Sequence, residues 1–476
     1  MLNDLLLTLP ITIATVWVLV LILCEAFVHN ANLTRWLTAI GFAGIIASIF
    51  LIPSPEGYAY GTMLRTGTFT NFSNFIFAVS GLLVVSISDK YLEEEEINFG
   101  EYYIILFIST IGMMLMGSAA NLSVIFIGLE TMSVALYTLA GMLRKDVRSN
   151  EAAMKYFLLG SFATGFFLYG IALIYGATGE LALPRIAASL QTNGVSTLFW
   201  IGLSLLMIGF LFKVSAVPFH QWTPDVYEGS PTTAAAFMST GSKAAAFSSL
   251  IIVLSNISIA LPNNAVLQTA FAYIAVATMA VGNITALTQD NLKRMLAYSS
   301  IAHAGYMLVG IAAGSNEGYS GVLYYALIYT LMNVGAFGVI AVLERHRTLT
   351  NASDYAGLFK QHPLLAGLMA VFMFSLAGLP PFGGFVGKYK VFAAAVEADL
   401  TWLAIVGVLA SVVSVYYYLR VVIFMFMRDP EPAPQANANA TGSFALVAIA
   451  VIVFLMGIFP TEVLKLADNA MKVALK

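Results

Sequence analysis

The chain has 476 residues, of which 59% are hydrophobic and only 10% charged, with a net charge of −3. So little polar surface excludes a soluble enzyme of this size, and the charge balance leaves no basic patch for a nucleic acid. A single cysteine, Cys24, excludes an internal disulfide, a four-cysteine cluster and a zinc knuckle.

Uncharged runs of about 20 residues recur along the chain and predict an all-α polytopic membrane protein with about 14 transmembrane helices. They centre near Val16, Gly44, Val79, Ser109, Thr131, Phe166, Ser204, Ala244, Ala277, Ala302, Leu331, Phe374, Val413 and Ile452. The first, Leu5 to Leu23, has no basic flank and no convincing cleavage site, so it reads as a retained span rather than a signal peptide. Ser88 to Gly100, with its Glu93–Glu96 run, reads as a solvated loop. Leu183 to Gln191 is too short to span and is expected to lie along the surface. Asp429 to Thr441, rich in Pro, Ala and Asn, reads as a flexible linker.

Basic residues outside the spans set the orientation. One set of loops carries Arg35, Lys90, Arg144, Lys145, Arg148, Lys293, Arg294, Arg345, Arg347, Lys360 and Arg428; the other carries Arg65, Arg185, Lys465, Lys472 and Lys476. The richer set belongs in the cytoplasm, which places both termini outside.

Within the spans, charges are costly: about 2.5–3.5 kcal/mol each at the bilayer centre on insertion scales. Glu130, in the fifth span, lies near mid-membrane, as do Lys213 in the seventh, Lys243 in the eighth and His303 in the tenth. Lys155 lies at the cytoplasmic start of the sixth span, where it is a candidate entrance to the series with snorkelling to the interface as the alternative, and Lys388 in the outer half of the twelfth. Lys390 and Arg420, nearer helix ends, are expected to snorkel. Together the deep charges form an inside-to-outside series, the pattern of an ion or proton pathway. A structural role, with buried pairs that only fix helix packing, is the bland alternative.

Two spans are interrupted. The seventh contains Lys213 and then Pro218-Phe219-His220; the twelfth contains Gly378-Leu379-Pro380-Pro381 and then Lys388. Proline removes a backbone hydrogen bond, and such breaks are tolerated only inside protein or beside a cavity. Pro218-Phe219 returns as Pro381-Phe382, and Asn121-Leu122 as Asn291-Leu292, about 160–170 positions later. Two five-span units follow, and because five is odd the second enters from the opposite side. The expected divisions are 1–100, a three-helix segment; 101–260, the first unit; 261–428, the inverted second unit; and 429–476, a linker and last helix.

The run from Pro218 through Trp222, Pro224, Asp225, Tyr227, Glu228 and Gly229 to Pro231 and Thr232 resembles the signature of the antiporter-like subunits of complex I, shared with Mrp-type cation/proton antiporters. The run from Ser375 to Lys388 is similar to the twelfth helix of the N-type members, and Lys388 stands where M-type members usually have glutamate. The resemblance implies that Glu130 pairs with Lys213, that Lys243 is a central relay and Lys388 an exit, with His220 and His303 supporting a hydrated axis. It implies proton translocation driven by electron transfer elsewhere. NADH, FMN, iron–sulfur clusters and quinone would be held by partner subunits, and no cofactor by this chain. The partners would be neighbouring antiporter-like and small core membrane subunits in a bacterial inner membrane, with membrane lipids around them. A part in an Mrp-type Na⁺/H⁺ antiporter is the alternative.

Overall fold

A segment embedded in lipid must satisfy its own backbone hydrogen bonds, and the apolar runs accordingly form helices. The computed structural model describes residues 2–52, 54–261, 265–344, 349–429 and 440–474. A short α1 (Leu2–Leu7) leads into α2 (Leu9–Val28) and α3 (Ala31–Leu51). An antiparallel hairpin, β1 (Gly57–Ala59) and β2 (Leu64–Thr66), precedes α4 (Thr68–Glu94). Next come α5 (Gly100–Ser118), α6 (Leu122–Ala140), α7 (Val147–Thr178), α8 (Leu183–Asn193), α9 (Thr197–Val214), α10 (Trp222–Gly229) and α11 (Thr232–Ser258). The second half contains α12 (Ala265–Leu287), α13 (Leu292–Ala313), α14 (Asn316–Leu343), α15 (Leu358–Gln361) and α16 (Pro363–Ala377). It closes with α17 (Gly383–Glu397), α18 (Thr401–Met427), α19 (Ala440–Ile458) and α20 (Thr461–Ala474).

Among the described residues, 13 helices are long and apolar enough to cross a membrane. The remaining expected span, around Phe374, is divided between α16 and α17, and the seventh is divided between α9 and α10. Both breaks fall at the prolines. α9 ends at Ser215, in the left-handed region with φ 63°, ahead of a cis Val217–Pro218 bond. α16 ends at Gly378, with φ 82°, ahead of a cis Pro380–Pro381 bond. Helix starts are capped by polar side chains: Asn121 accepts from the Ser123 N–H and Asn291 from the Arg294 N–H. The two asparagines also lie at matching backbone bridges, Asn121 with Ala182 and Asn291 with Asn351.

The enclosed axis is built from α11, α13 and α14. The membrane windows of α11 and α14 are 100% buried and that of α13 is 94% buried, against 22% for α2 and 28% for α18. Lys243 and His303 therefore sit on helices that protein surrounds on every side, which removes the lipid cost that made them improbable. Close approach of neighbours depends on small residues: a Cβ at Gly112 would overlap the backbone of α6 at Gly128 and Met132.

The structure corrects two expectations. Half of the acidic run is not loop: α4 stays helical through Glu94, with Tyr91 and Leu92 buried and Asp89 paired to Arg35, and only Glu95 and Glu96 lie beyond it. Lys293, taken as a loop charge, lies in the first turn of α13 and is buried. Arg420 reaches the loop between α12 and α13, where its guanidinium donates to the Gln289 carbonyl and pairs with the exposed Asp290 at 3.5 Å. Two elements were not foreseen. The hairpin is fastened where Glu56 accepts from Thr68 N and Oγ1 at 2.7 and 2.8 Å. The amphipathic α20 packs on α14 and α4, with Ser320 donating to Asp468 at 2.6 Å. Arg345, Arg347, Lys476 and positions 430–439 of the expected linker lie outside the described residues.

Candidate functional site

Three helices, α6, α7 and α9, build the first cluster. Glu130 projects from α6 and its Oε1 accepts a hydrogen bond from Thr164 Oγ1 on α7 at 2.8 Å. Lys213 occupies the last turn of α9, 3% exposed, with no hydrogen-bond partner for its Nζ. Aromatic rings surround it instead: Tyr137 at 5.4 Å and Tyr156 at 5.3 Å from the ammonium. Ring faces offset part of the cost of a desolvated cation. The direct Glu130–Lys213 pair that the resemblance implies is therefore not formed, because the carboxylate is held by Thr164 and the ammonium by the rings.

Lys155 lies in the N-terminal third of α7, with 39% of its side chain exposed. It bridges Glu151 and Asp225, each at 2.7 Å. Asp225, on α10, also binds Arg294 at 2.7 Å, and Arg294 binds Glu228 at 2.9 Å. This network of α7, α10 and α13 ties the second piece of the broken span to both neighbours. Lys155 is thus separate from the buried lysines, half-exposed and held in a structural ion-pair network.

The second cluster is nearly continuous. Lys243 on α11 donates to Ser300 O at 2.9 Å and to Ser300 Oγ at 2.5 Å. The neighbouring Ser299 hydroxyl hydrogen-bonds the Tyr418 hydroxyl. Tyr418 in turn reaches His303 Nε2 at 3.0 Å, and Tyr325 reaches His303 Nδ1 at 2.7 Å. Lys388 lies 4.8 Å from the Tyr306 ring, which packs edge-on against His303. Its Nζ donates to Ala377 O at 2.9 Å and Ser411 Oγ at 2.8 Å. Ala377 O is the carbonyl that an N–H at position 381 would take in an unbroken helix, and proline has none. The break thus creates the acceptor that holds the lysine.

A hydroxyl on each side of His303 allows one ring nitrogen to accept while the other donates. A proton taken on one side and released on the other would exchange the tautomers, so the arrangement has the chemistry of a relay as well as of a packing contact. His220 is not part of this file: it is half-buried at the first break, with Nδ1 unpartnered. Tyr306, Tyr325 and Tyr418 were missed from the sequence, since tyrosine in a membrane protein is ordinarily an interface or packing residue. Ser300, which matches Glu130 when the chain is shifted by the spacing from Asn121 to Asn291, was the available signal, and it holds Lys243. Among the described residues no group of three or more His, Cys, Asp or Glu side chains could hold a metal.

The model of a family described as NADH:quinone oxidoreductase/Mrp antiporter, TM matches residues 119–414. The chain is 56% identical to NADH-quinone oxidoreductase subunit N 1 of Chloroherpeton thalassium over the full length of both. It is 50% identical to NADH-quinone oxidoreductase subunit N of Salinibacter ruber over 85% of this chain and 81% of that one. A chain of respiratory complex I from Thermus thermophilus with bound aureothin superposes with TM-score 0.84 at 35% identity, covering 96% of this chain and 99% of that one. A chain of the Mrp complex from a Dietzia species superposes with TM-score 0.88 at 19% identity over all of both chains, a likeness of fold alone.

Proposed function

The chain belongs to the NADH:quinone oxidoreductase/Mrp antiporter transmembrane family, and on that premise we propose that it is the N-type membrane-arm subunit of a proton-translocating NADH:quinone oxidoreductase. The observation that carries this reading is the file from Lys243 through Ser300, Ser299, Tyr418 and His303 toward Lys388, enclosed by protein at mid-membrane. Glu130 and Lys213 form the switch ahead of it, Lys155 the cytoplasmic end, and Lys388 the outlet beside the second break. NADH, flavin, iron–sulfur clusters and quinone belong to partner subunits, so the chain serves as the proton-moving part of a translocase.

In this reading the two five-span units at 101–260 and 261–428 are inverted copies, supported by the matching asparagine bridges and proline breaks. The chain lies in a bacterial inner membrane with both termini outward, packed between antiporter-like and small core subunits. Moving one proton against 100 mV costs about 2.3 kcal/mol. Desolvation destabilises a lysine's charge and an approaching carboxylate restabilises it, and either change is of that order. Moving Glu130 toward Lys213 therefore lets that lysine keep its proton, and withdrawing it to Thr164 is enough, energetically, to release the proton to Lys243. Identity near one half with N-type subunits supports this assignment over an Mrp-type cation antiporter, whose likeness here is of fold.

The test is Lys243→Ala and Glu130→Ala in the assembled, membrane-reconstituted complex. Both are expected to assemble and to lose proton pumping. A normal proton-to-electron ratio in both variants would sink the pathway.

A further inference from the structure

Lys293 and Glu344 form a buried ion pair that the pathway above leaves unused. The two are 3% and 2% exposed, with Nζ and Oε1 3.5 Å apart. Both lie at the cytoplasmic end of the bundle, where a long charged side chain ordinarily reaches water. Here they are covered by the corner between α10 and α11. Lys293 donates to Ser230 O at 3.1 Å and to Thr232 Oγ1 at 2.9 Å, and the Thr232 hydroxyl donates to Glu344 Oε2.

Neither charge suits its helix. Lys293 is at the N-terminal, positive end of α13, and Glu344 caps the C-terminal, negative end of α14. Burying each ion costs several kcal/mol before pairing, and apolar residues of similar volume would often be more stabilising. Stability alone therefore does not explain the pair.

A polar file leads from it toward Lys243. Tyr355, within electrostatic reach of Glu344, is buried with an unpartnered hydroxyl. Thr232 opens α11, and Lys243 follows about 17 Å along the same helix. Between them Ser239 accepts from Asn333 Nδ2 on α14 at 2.7 Å. Among the described residues the hydroxyls of Tyr227 and Tyr329 are buried facing Ser300, and Tyr329 also faces Asn333, with none of these approaches closing to a full hydrogen bond. Tyr227 and Tyr329 lie within electrostatic reach of each other and of Ser300, the residue that holds Lys243. Buried polar atoms left unmade cost about 1–3 kcal/mol each, so such a file is a site for bridging water.

We propose that Lys293, Glu344 and Thr232 form a second cytoplasmic gate, which loads Lys243 directly rather than through Lys155 and Lys213. The Glu344 carboxylate takes a proton from cytoplasmic water and becomes the neutral acid. The acid passes that proton along the file to the neutral amine of Lys243 and returns to carboxylate. Lys293 stays an ammonium throughout and holds the carboxylate closed between loadings. The inference rests on Lys243 being the central relay of the proposed function.

The experiment compares Glu344→Gln, Glu344→Asp and the double variant Lys293→Gln/Glu344→Gln with Lys243→Ala in the reconstituted complex. The double variant removes both charges at nearly constant volume, so it assembles even where a single variant leaves a charge unpaired. The gate requires about tenfold or greater loss of pumping-coupled quinone reduction in Glu344→Gln and the double variant, with partial recovery in Glu344→Asp. It also requires a protonated-carboxyl infrared band during turnover of the unmodified complex that the double variant lacks. Normal pumping by the double variant would make the pair a packing device and overturn the gate, as would an infrared spectrum without that band. If Lys243→Ala also pumps normally, the wider pathway fails; if Lys243→Ala is inactive while Glu344→Gln pumps normally, the gate alone fails.

Discussion

The two broken spans carry the same device, a helix, a cis-proline turn and a nearby lysine, yet the lysines end in opposite circumstances. Lys213 has no hydrogen-bond partner and lies among rings, whereas Lys388 binds the carbonyl of Ala377 and the hydroxyl of Ser411. The cause is the direction in which side chains leave a helix: every Cα–Cβ bond tilts toward the helix N-terminus. Lys213 precedes its break, near the end of α9, so its side chain tilts away from the prolyl turn. Lys388 follows its break, early in α17, so its side chain tilts back onto the freed carbonyl. One lysine is left poised for a moving partner, and the other is anchored.

Replacing each lysine by an apolar residue puts this contrast under the greatest strain. Both Lys388→Met and Lys213→Met are expected to lower proton transfer about 100-fold, the scale of a lost proton-transfer group. Only Lys388→Met also leaves the Ala377 carbonyl with a single long donor, the Ser411 hydroxyl at 3.5 Å, for about 1 kcal/mol of stability. Thermal dissociation of the purified complex should therefore fall for Lys388→Met and hold or rise for Lys213→Met; equal loss in both would dissolve the distinction.

A smaller effect is expected from Tyr418→Phe, which removes the hydroxyl joining Ser299 to His303. Proton pumping in proteoliposomes should fall by about tenfold with assembly unchanged, because the ring still packs and only the relay is cut. Unchanged pumping would leave His303 as a packing residue. Smallest is Thr164→Val, which frees the Glu130 carboxylate from its only side-chain donor among the described residues. A neutral donor to a carboxylate contributes about 1.5–3 kcal/mol at most, and its loss lets Glu130 approach Lys213. Pumping is expected to change by less than tenfold, with the shift visible as a displaced Glu130 carboxylate band in infrared difference spectra.

Most of the span pattern was legible in the residues, as were both breaks, because hydropathy and proline act locally along the chain. Glu130, Lys213, Lys243 and Lys388 stood out for a related reason: a charge in an apolar run is anomalous whatever surrounds it. Their partners did not stand out. Ser300 lies in a different span from Lys243, and Tyr418 lies far along the chain from Ser299, so no spacing rule connects them. Lys293 was misread because a basic residue beside an asparagine turn has the signature of a loop, while its burial depends on the α10–α11 corner folding over it.

By itself, then, the sequence determined that this is a polytopic helical membrane protein, where its helices break and which charges are too costly to be accidental. Each of those follows from the transfer of single segments between water and lipid. The tertiary structure alone decided which charge meets which group: that Glu130 rests on Thr164 rather than Lys213, that His303 is spanned by two tyrosines, and that Lys293 and Glu344 share a buried site. Those contacts depend on how α11, α13, α14 and α18 pack. That packing is a property of all the helices at once, because inside a bilayer helices meet through shape and polar satisfaction rather than through any local hydrophobic signal.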